Sequence, residues 1–177
     1  RVELRRLFRQ AYTEAGLAGR ILATDVDPLA PALQEADAHF LVPRDDDPGF
    51  VPALARICRS ESIGLVFPLT DPAIPLLAAR RADFEAVGAQ LAVVPVEASE
   101  RTHDKWKFHQ WLRSAGFPGP ETWLPDDLPR EPPFPLFVKP RFGSAGRQAH
   151  RVDEAEELAF YLARVERPIV QVFVDGR

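Results

Sequence analysis

The sequence predicts an α/β chain built in two parts, and three observations predict it. From residue 1 to about 98, helical stretches alternate with short apolar strands, an order that favours a parallel sheet covered on both faces. Between Phe117 and Leu136 stand seven prolines, a density that forbids a long helix and marks an extended connection. After Pro135 the order becomes strand, glycine turn, strand, helix, strand, which predicts an α+β arrangement around a hairpin.

In the first part, RVELRRLFRQAY reads as a helix with Val2, Leu4, Leu7, Phe8 and Ala11 on its apolar side. Gly16 and Gly19 punctuate, and RILATDVD supplies a strand from Arg20 to about Asp25. Asp27 followed by Pro28 predicts a helix start, with Asp27 as N-cap and Pro28 in the first turn. HFLVP gives a strand at 39–43, and a helix follows near 48–60. The apolar stretch IGLVFPL predicts a strand at 63–69, IPLLAARRADFEAVG a helix, and QLAVVP a strand at 90–95. A unit of this order ordinarily opens on a strand, expected here before residue 1. With no methionine anywhere, the sequence reads as beginning and ending inside something larger.

Ser99 to Ala115 reads as one helical segment carrying Lys105, Trp106, Trp111 and Leu112, stopped by Gly116 and Pro118. Beyond the prolines, PLFVKP is a strand, RFGSAGR a turn and QAHRV a second strand. Asp153 with Glu156 three residues on reads as a capping box, and Ala155, Leu158, Ala159, Leu162 and Val165 as the buried stripe of the helix it starts. PIVQVFVDG closes as a strand.

Composition narrows the function. The 177 residues are 46% apolar and 27% charged, as in a soluble globular protein, and no apolar run reaches the roughly 18 residues that cross a bilayer. No membrane partner and a cytoplasmic location are expected. A net charge of −4 argues against general nucleic-acid binding, which needs a basic face. Cys58, the single cysteine, shares a helical face with Ala53, Leu54 and Ile57, so core packing is its expected role. His39, His103, His109 and His150 lack ligand spacing, and no metal site is predicted.

The local charge is more informative. No acid stands between Glu131 and Asp153, while Lys139, Arg141, Arg147 and Arg151 all do. Lysine is itself rare here: Lys105, Lys107 and Lys139 are the only three among 22 basic residues. A glycine turn at Gly143 and Gly146 can expose backbone N–H groups to a phosphate, and Lys139 on the preceding strand can add a compact charge. The competing reading is an ordinary hairpin turn with a solvated lysine. A Walker loop and a GxGxxG motif are both absent. A dinucleotide site remains open, since Asp25 ends a strand where such a site uses an acid, although turn chemistry also explains it.

Three segments in order, HDKWKFHQWLRSAGFPGPET, PLFVKPRFGSAGRQAHRV and IVQVFVDG, resemble the ATP-grasp superfamily. The likeness is strongest to carbamoyl phosphate synthetase large subunits and amino-acid ligases. Upstream, ATDVDPLAPALQEAD and LVFPLTDPAI look like the domain that precedes it. The resemblance implies a Rossmann-like pre-ATP-grasp domain over 1–98, a linking helix and proline-rich connection over 99–134, and an incomplete α+β glycine-loop subdomain over 135–177. It also implies an ATP-dependent ligase acting on a carboxylate and an amine through an acylphosphate, with ATP and Mg2+ as cofactors. By resemblance, Lys139 would hold the α- and β-phosphates, Lys105 the α-phosphate side, and Gly143, Ser144, Ala145 and Gly146 would cover the β- and γ-phosphates. Gln171 would lie beside the adenine amino group, with the Val172 carbonyl and the Val174 N–H reading the purine edge. The family's metal-binding Glu and Asn come after the point where this sequence stops, so no catalytic residue and no metal ligand is expected within it. The alternatives are a non-catalytic nucleotide-binding or interaction module of the same fold, and a dinucleotide-binding Rossmann protein.

Overall fold

A computed structural model describes residues 2–176 of the chain. Contacts divide the chain into two compact units, Arg1–Val93 and Val94–Arg177.

The first unit opens with α1, Val2–Glu14. Its apolar side is only partly covered: Val2, Leu4 and Phe8 are half-buried, while Leu7 and Ala11 are exposed. Polar contacts compensate along the other edge, where Arg5 and Arg6 pair with Glu35 and Arg9 pairs with Asp37. Next come β1 (Leu22–Asp25), α2 (Pro31–Glu35) and β2 (Ala38–Leu41). The helix expected at Asp27 starts later, at Pro31. The Asp27 carboxylate accepts from the Leu29 N–H, 2.9 Å, closing a turn around Pro28 instead of capping a helix.

α3 (Phe50–Glu61) leads into β3 (Leu65–Val66), which is much shorter than the apolar stretch 63–69. Pro68 has no N–H to continue the ladder, and Leu65, Phe67 and Leu69 are exposed. The helix expected through 74–88 is two, α4 (Ala73–Ala79) and α5 (Arg81–Glu85), because Arg80 leaves the helical region at φ −115°, ψ 22°. β4 (Gln90–Leu91) ends the unit's strands. β1 pairs with β2 and β3 with β4, both parallel as the alternating order predicts. Leu54, Cys58, Leu77, Phe84 and Leu91 form the core, with Cys58 3% and Phe84 0% exposed.

The second unit begins with α6 (Val96–His103) and α7 (Lys105–Ser114), two helices where one was expected. Asp104 separates them in an extended conformation and caps the second, its Oδ1 accepting from the N–H groups of Trp106 and Lys107. β5 (Thr122–Trp123), β6 (Leu136–Pro140), β7 (His150–Val152) and β8 (Pro168–Val172) form an antiparallel sheet in the order β5-β8-β6-β7. Between β7 and β8 lies α8, Ala155–Leu162. Its start departs from the expected box: Glu157, not Glu156, accepts from the Asp153 N–H, while the Asp153 carboxylate is taken by Arg151. Leu158 and Val165 are buried and Leu162 half-buried beneath it, but Ala155 and Ala159 are exposed, so the stripe is narrower than its spacing suggested. Among the described residues no helix is long and apolar enough to cross a membrane.

Candidate phosphate-binding site

Strand alternation sorts the side chains of β6. Leu136 and Val138 are fully buried in the core cluster that includes Leu158 of α8. Phe137 and Lys139 therefore occupy the opposite face of the sheet. Register sets Gln171 and Arg151 on either side of Phe137, Ile169 beside Lys139, and Thr122 beyond Gln171. Directly opposed residues share a face. The face away from α8 thus carries Lys139, Phe137, Gln171, Thr122 and Arg151. The Lys139 ammonium stands 5.5 Å from the Phe137 ring, and the Arg151 guanidinium 4.8 Å from that of Phe173.

Beyond Pro140 the chain turns through a loop whose backbone is unusual. Gly143 (φ 107°), Ala145 (58°), Gly146 (67°) and Gln148 (54°) all lie in the left-handed region. A Cβ at Gly143 or Gly146 would meet nothing within 4 Å, so glycine is favoured there by conformation and not by space. Among the described residues, the N–H groups of residues 143 to 146 donate to no protein acceptor. Successive N–H groups in a turn of mixed handedness make a concavity suited to an anion.

The start of α7 meets this loop. The Lys105 N–H donates to the Arg141 carbonyl, 3.1 Å, and its ammonium to the Gly143 carbonyl, 2.7 Å. Arg141 in turn donates to both oxygens of Asp104 from Nε (2.7 Å) and Nη2 (2.6 Å). Burial pushes the Asp104 carboxyl up, but the Arg141 hydrogen bonds and the N–H groups of the cap outweigh it and hold it below the usual aspartate value. Burial also pushes the Lys139 ammonium down, and the charge of Lys105 adds to the shift. The Lys105 charge thus opposes that of Lys139 next to a loop whose N–H groups at 143–146 meet no acceptor among the described residues, a donor set suited to an anion.

Lys105 and the loop 143–146 are thus in direct contact, and Lys139 is close enough to feel the Lys105 charge. Gln171 shares the face of Lys139, but its amide donates to the Thr122 hydroxyl at 2.7 Å. Val172 sides with Val170 on the α8 face, and its N–H donates to the Glu121 carbonyl. Val174 lies past the end of β8 and is exposed. Sequence reasoning counted Arg141 and Arg151 in the basic window without giving either a role, and it did not single out Asp104 or Phe137. Asp104 carried a usable signal, an N-cap residue directly before Lys105; Arg141 carried none, since its partner lies 37 residues away. No group of three or more His, Cys, Asp or Glu side chains suited to a metal ion occurs among the described residues.

Two family models cover nearly all of the chain. The PylC-like N-terminal domain matches residues 1–92 and the ATP-grasp domain residues 102–177. The chain belongs to the PylC-like N-terminal domain family over the first of these spans and matches the ATP-grasp domain over the second. It is similar to the carbamoyl phosphate synthase large chain of Thermoplasma volcanium, at 26% identity over 139 residues, covering 73% of this chain and 13% of that one. Among solved structures, the L-amino acid ligase of Bacillus licheniformis matches 94% of this chain and 41% of its own, at TM-score 0.65 and 24% identity. The biotin carboxylase domain of the Hydrogenobacter thermophilus 2-oxoglutarate carboxylase, in complex with MgADP, ADP and bicarbonate, matches 98% and 42%, at TM-score 0.69 and 14% identity. These structures share the fold of this chain, which spans well under half the length of each of the three relatives.

Proposed function

We propose that this chain supplies the phosphate-binding part of an ATP-dependent carboxylate–amine ligase. The carrying observation is the contact of the Lys105 ammonium with the Gly143 carbonyl, at the start of a loop whose N–H groups at 143–146 meet no acceptor among the described residues, with Lys139 near enough to feel the Lys105 charge. In this reading Lys139 binds the α- and β-phosphates, Lys105 neutralises charge on the α-phosphate side, and the loop N–H groups hold the β- and γ-phosphates. On binding, the Lys105 ammonium exchanges the Gly143 carbonyl for a phosphate oxygen. The fit rests on the donor set: two ammonium groups and a turn of N–H groups suit a polyphosphate. Mg2+ travels with the nucleotide and offsets charge on the transferred phosphoryl group.

The adenine lies against the sheet face of Phe137 and Gln171, with the Val172 carbonyl and Val174 N–H at its edge. Gln171 reaches the adenine amino group only by giving up the Thr122 hydroxyl. The wider organisation follows: residues 1–98 form the pre-ATP-grasp domain, 99–134 the connection, and 135–177 the glycine-loop subdomain.

The chemistry is a pair of displacements. A substrate carboxylate oxygen attacks the γ-phosphorus and ADP leaves; an amine nitrogen then attacks the acyl carbon and phosphate leaves. The acylphosphate hydrolyses readily, so a loop able to cover it and exclude water has a clear use. The test is hydroxylamine trapping in the whole protein with Mg-ATP and a panel of amino and other carboxylic acids. ADP release with formation of a hydroxamate is expected for at least one acid. Nucleotide binding with neither product across the panel would replace the ligase with a non-catalytic nucleotide-binding module.

A further inference from the structure

The Asp104 side chain is 5% exposed, and a carboxylate this deeply placed is retained only if its charge is matched and its lone pairs are used. Here both conditions are met. Oδ1 accepts from Arg141 Nε, the Trp106 N–H and the Lys107 N–H, and Oδ2 accepts from Arg141 Nη2. The two halves of this arrangement belong to different parts of the site. The N–H bonds begin α7, whose first residue is Lys105, and the guanidinium bonds hold the first residue after β6, where the glycine loop is rooted.

Arg141 is held through its backbone as well. Its N–H donates to the Arg167 carbonyl at 2.9 Å, and its carbonyl accepts from the Lys105 N–H. The next residue, Phe142, packs its ring 5.6 Å from that of His103 and lies under the guanidinium groups of Arg141 and Arg167. Residues 141 and 142 are therefore fixed on several sides, and the left-handed segment begins immediately after them at Gly143.

We propose that Asp104 and Arg141 are a positioning pair for phosphate recognition: together they set Lys105 and the root of the glycine loop against each other, without touching the phosphates themselves. This rests on the nucleotide-binding reading above. The pair acts through its geometry, two parallel bonds from a planar fork, so a lysine at position 141 keeps the charge and loses the alignment.

The experiment is calorimetric titration with Mg-ATP of the wild-type chain and of Asp104→Asn, Arg141→Lys and the double variant, each first verified as folded by circular dichroism. The Asp104→Asn change keeps an acceptor for the helix cap, and should that variant nevertheless fail to fold, Arg141→Lys alone tests the pair. Each folded single variant is expected to bind Mg-ATP about tenfold more weakly or worse, the scale of outer-shell partners that orient binding groups. The double variant is expected to be no weaker than the worse single, because either change already releases the pair. Folded variants with wild-type affinity, or losses that simply add, would overturn the pair as a positioning device while leaving the nucleotide reading intact. A wild type that binds no Mg-ATP either as this chain or in the whole protein would overturn the nucleotide reading and this inference with it.

Discussion

Asp104 and Arg141 are joined by two charge-assisted hydrogen bonds of 2.7 and 2.6 Å, with the carboxylate buried and the guanidinium partly exposed. Because the folded state holds the Asp104 carboxyl below its ordinary value of 3.8, ionised Asp104 favours folding. That contribution is complete above the ordinary value and is lost as pH falls from there through the depressed folded value. Denaturant melts from pH 6 down to pH 2.5 are expected to show wild type more stable than Asp104→Asn at pH 6, with the gap closing below about pH 4. A gap of constant size across that range would contradict the assignment.

Lys139 has the opposite sense. Its folded-state pKa lies below the ordinary value of 10.5 through burial and the neighbouring charge of Lys105, so the charged lysine opposes folding. The cost is complete below the folded value and fades as pH rises toward 10.5. Lys139→Met is expected to melt higher than wild type at pH 7, with a smaller advantage at pH 10.5, in buffers free of phosphate and sulfate. A variant less stable than wild type at pH 7 would show that Lys139 is held by a partner and not strained by its surroundings.

Cys58 offers a reporter for the first unit. The residue is 3% exposed, and burial pushes its pKa up, so the reactive thiolate is doubly suppressed. A thiol reagent such as 5,5'-dithiobis(2-nitrobenzoate) is expected to label it slowly in buffer and at once in denaturant. Phe84→Ala, which empties space in the same core cluster, is expected to cost about 3–5 kcal/mol and to speed the labelling. Prompt labelling of the native chain would contradict the packing described.

The sequence made legible what depends on local chemistry and periodicity. Alternating strands and helices gave the parallel pairs of the first unit, and the strand–turn–strand order after Pro135 gave the β6–β7 hairpin. Lys105 and Lys139 stood out because lysine is so rare in this chain. What escaped was set by distant partners. The helix of 99–115 breaks at Asp104, where apolar periodicity runs on but an N-cap meets an arginine 37 residues away. The break at Arg80 has neither glycine nor proline to announce it. Glu157 stands in place of Glu156 because the helix starts one residue later than expected, with Glu154 at the N-cap, which puts residue 157 three positions into the helix. Phe137 became visible as a site residue, and Arg151 of the basic window gained its place on the site face, only when the register showed which face lies opposite α8.

The central claim is that Lys139 and the glycine loop bind the phosphates of ATP. Calorimetric titration of the chain and of Lys139→Ala with Mg-ATP, with NAD as the control ligand, tests it most directly. The account predicts that Mg-ATP binds the wild-type chain, that binding weakens at least about tenfold in Lys139→Ala, as expected when a charge-assisted contact is removed, and that NAD does not compete. Equal Mg-ATP affinity in the two proteins, or binding of NAD alone, would contradict it.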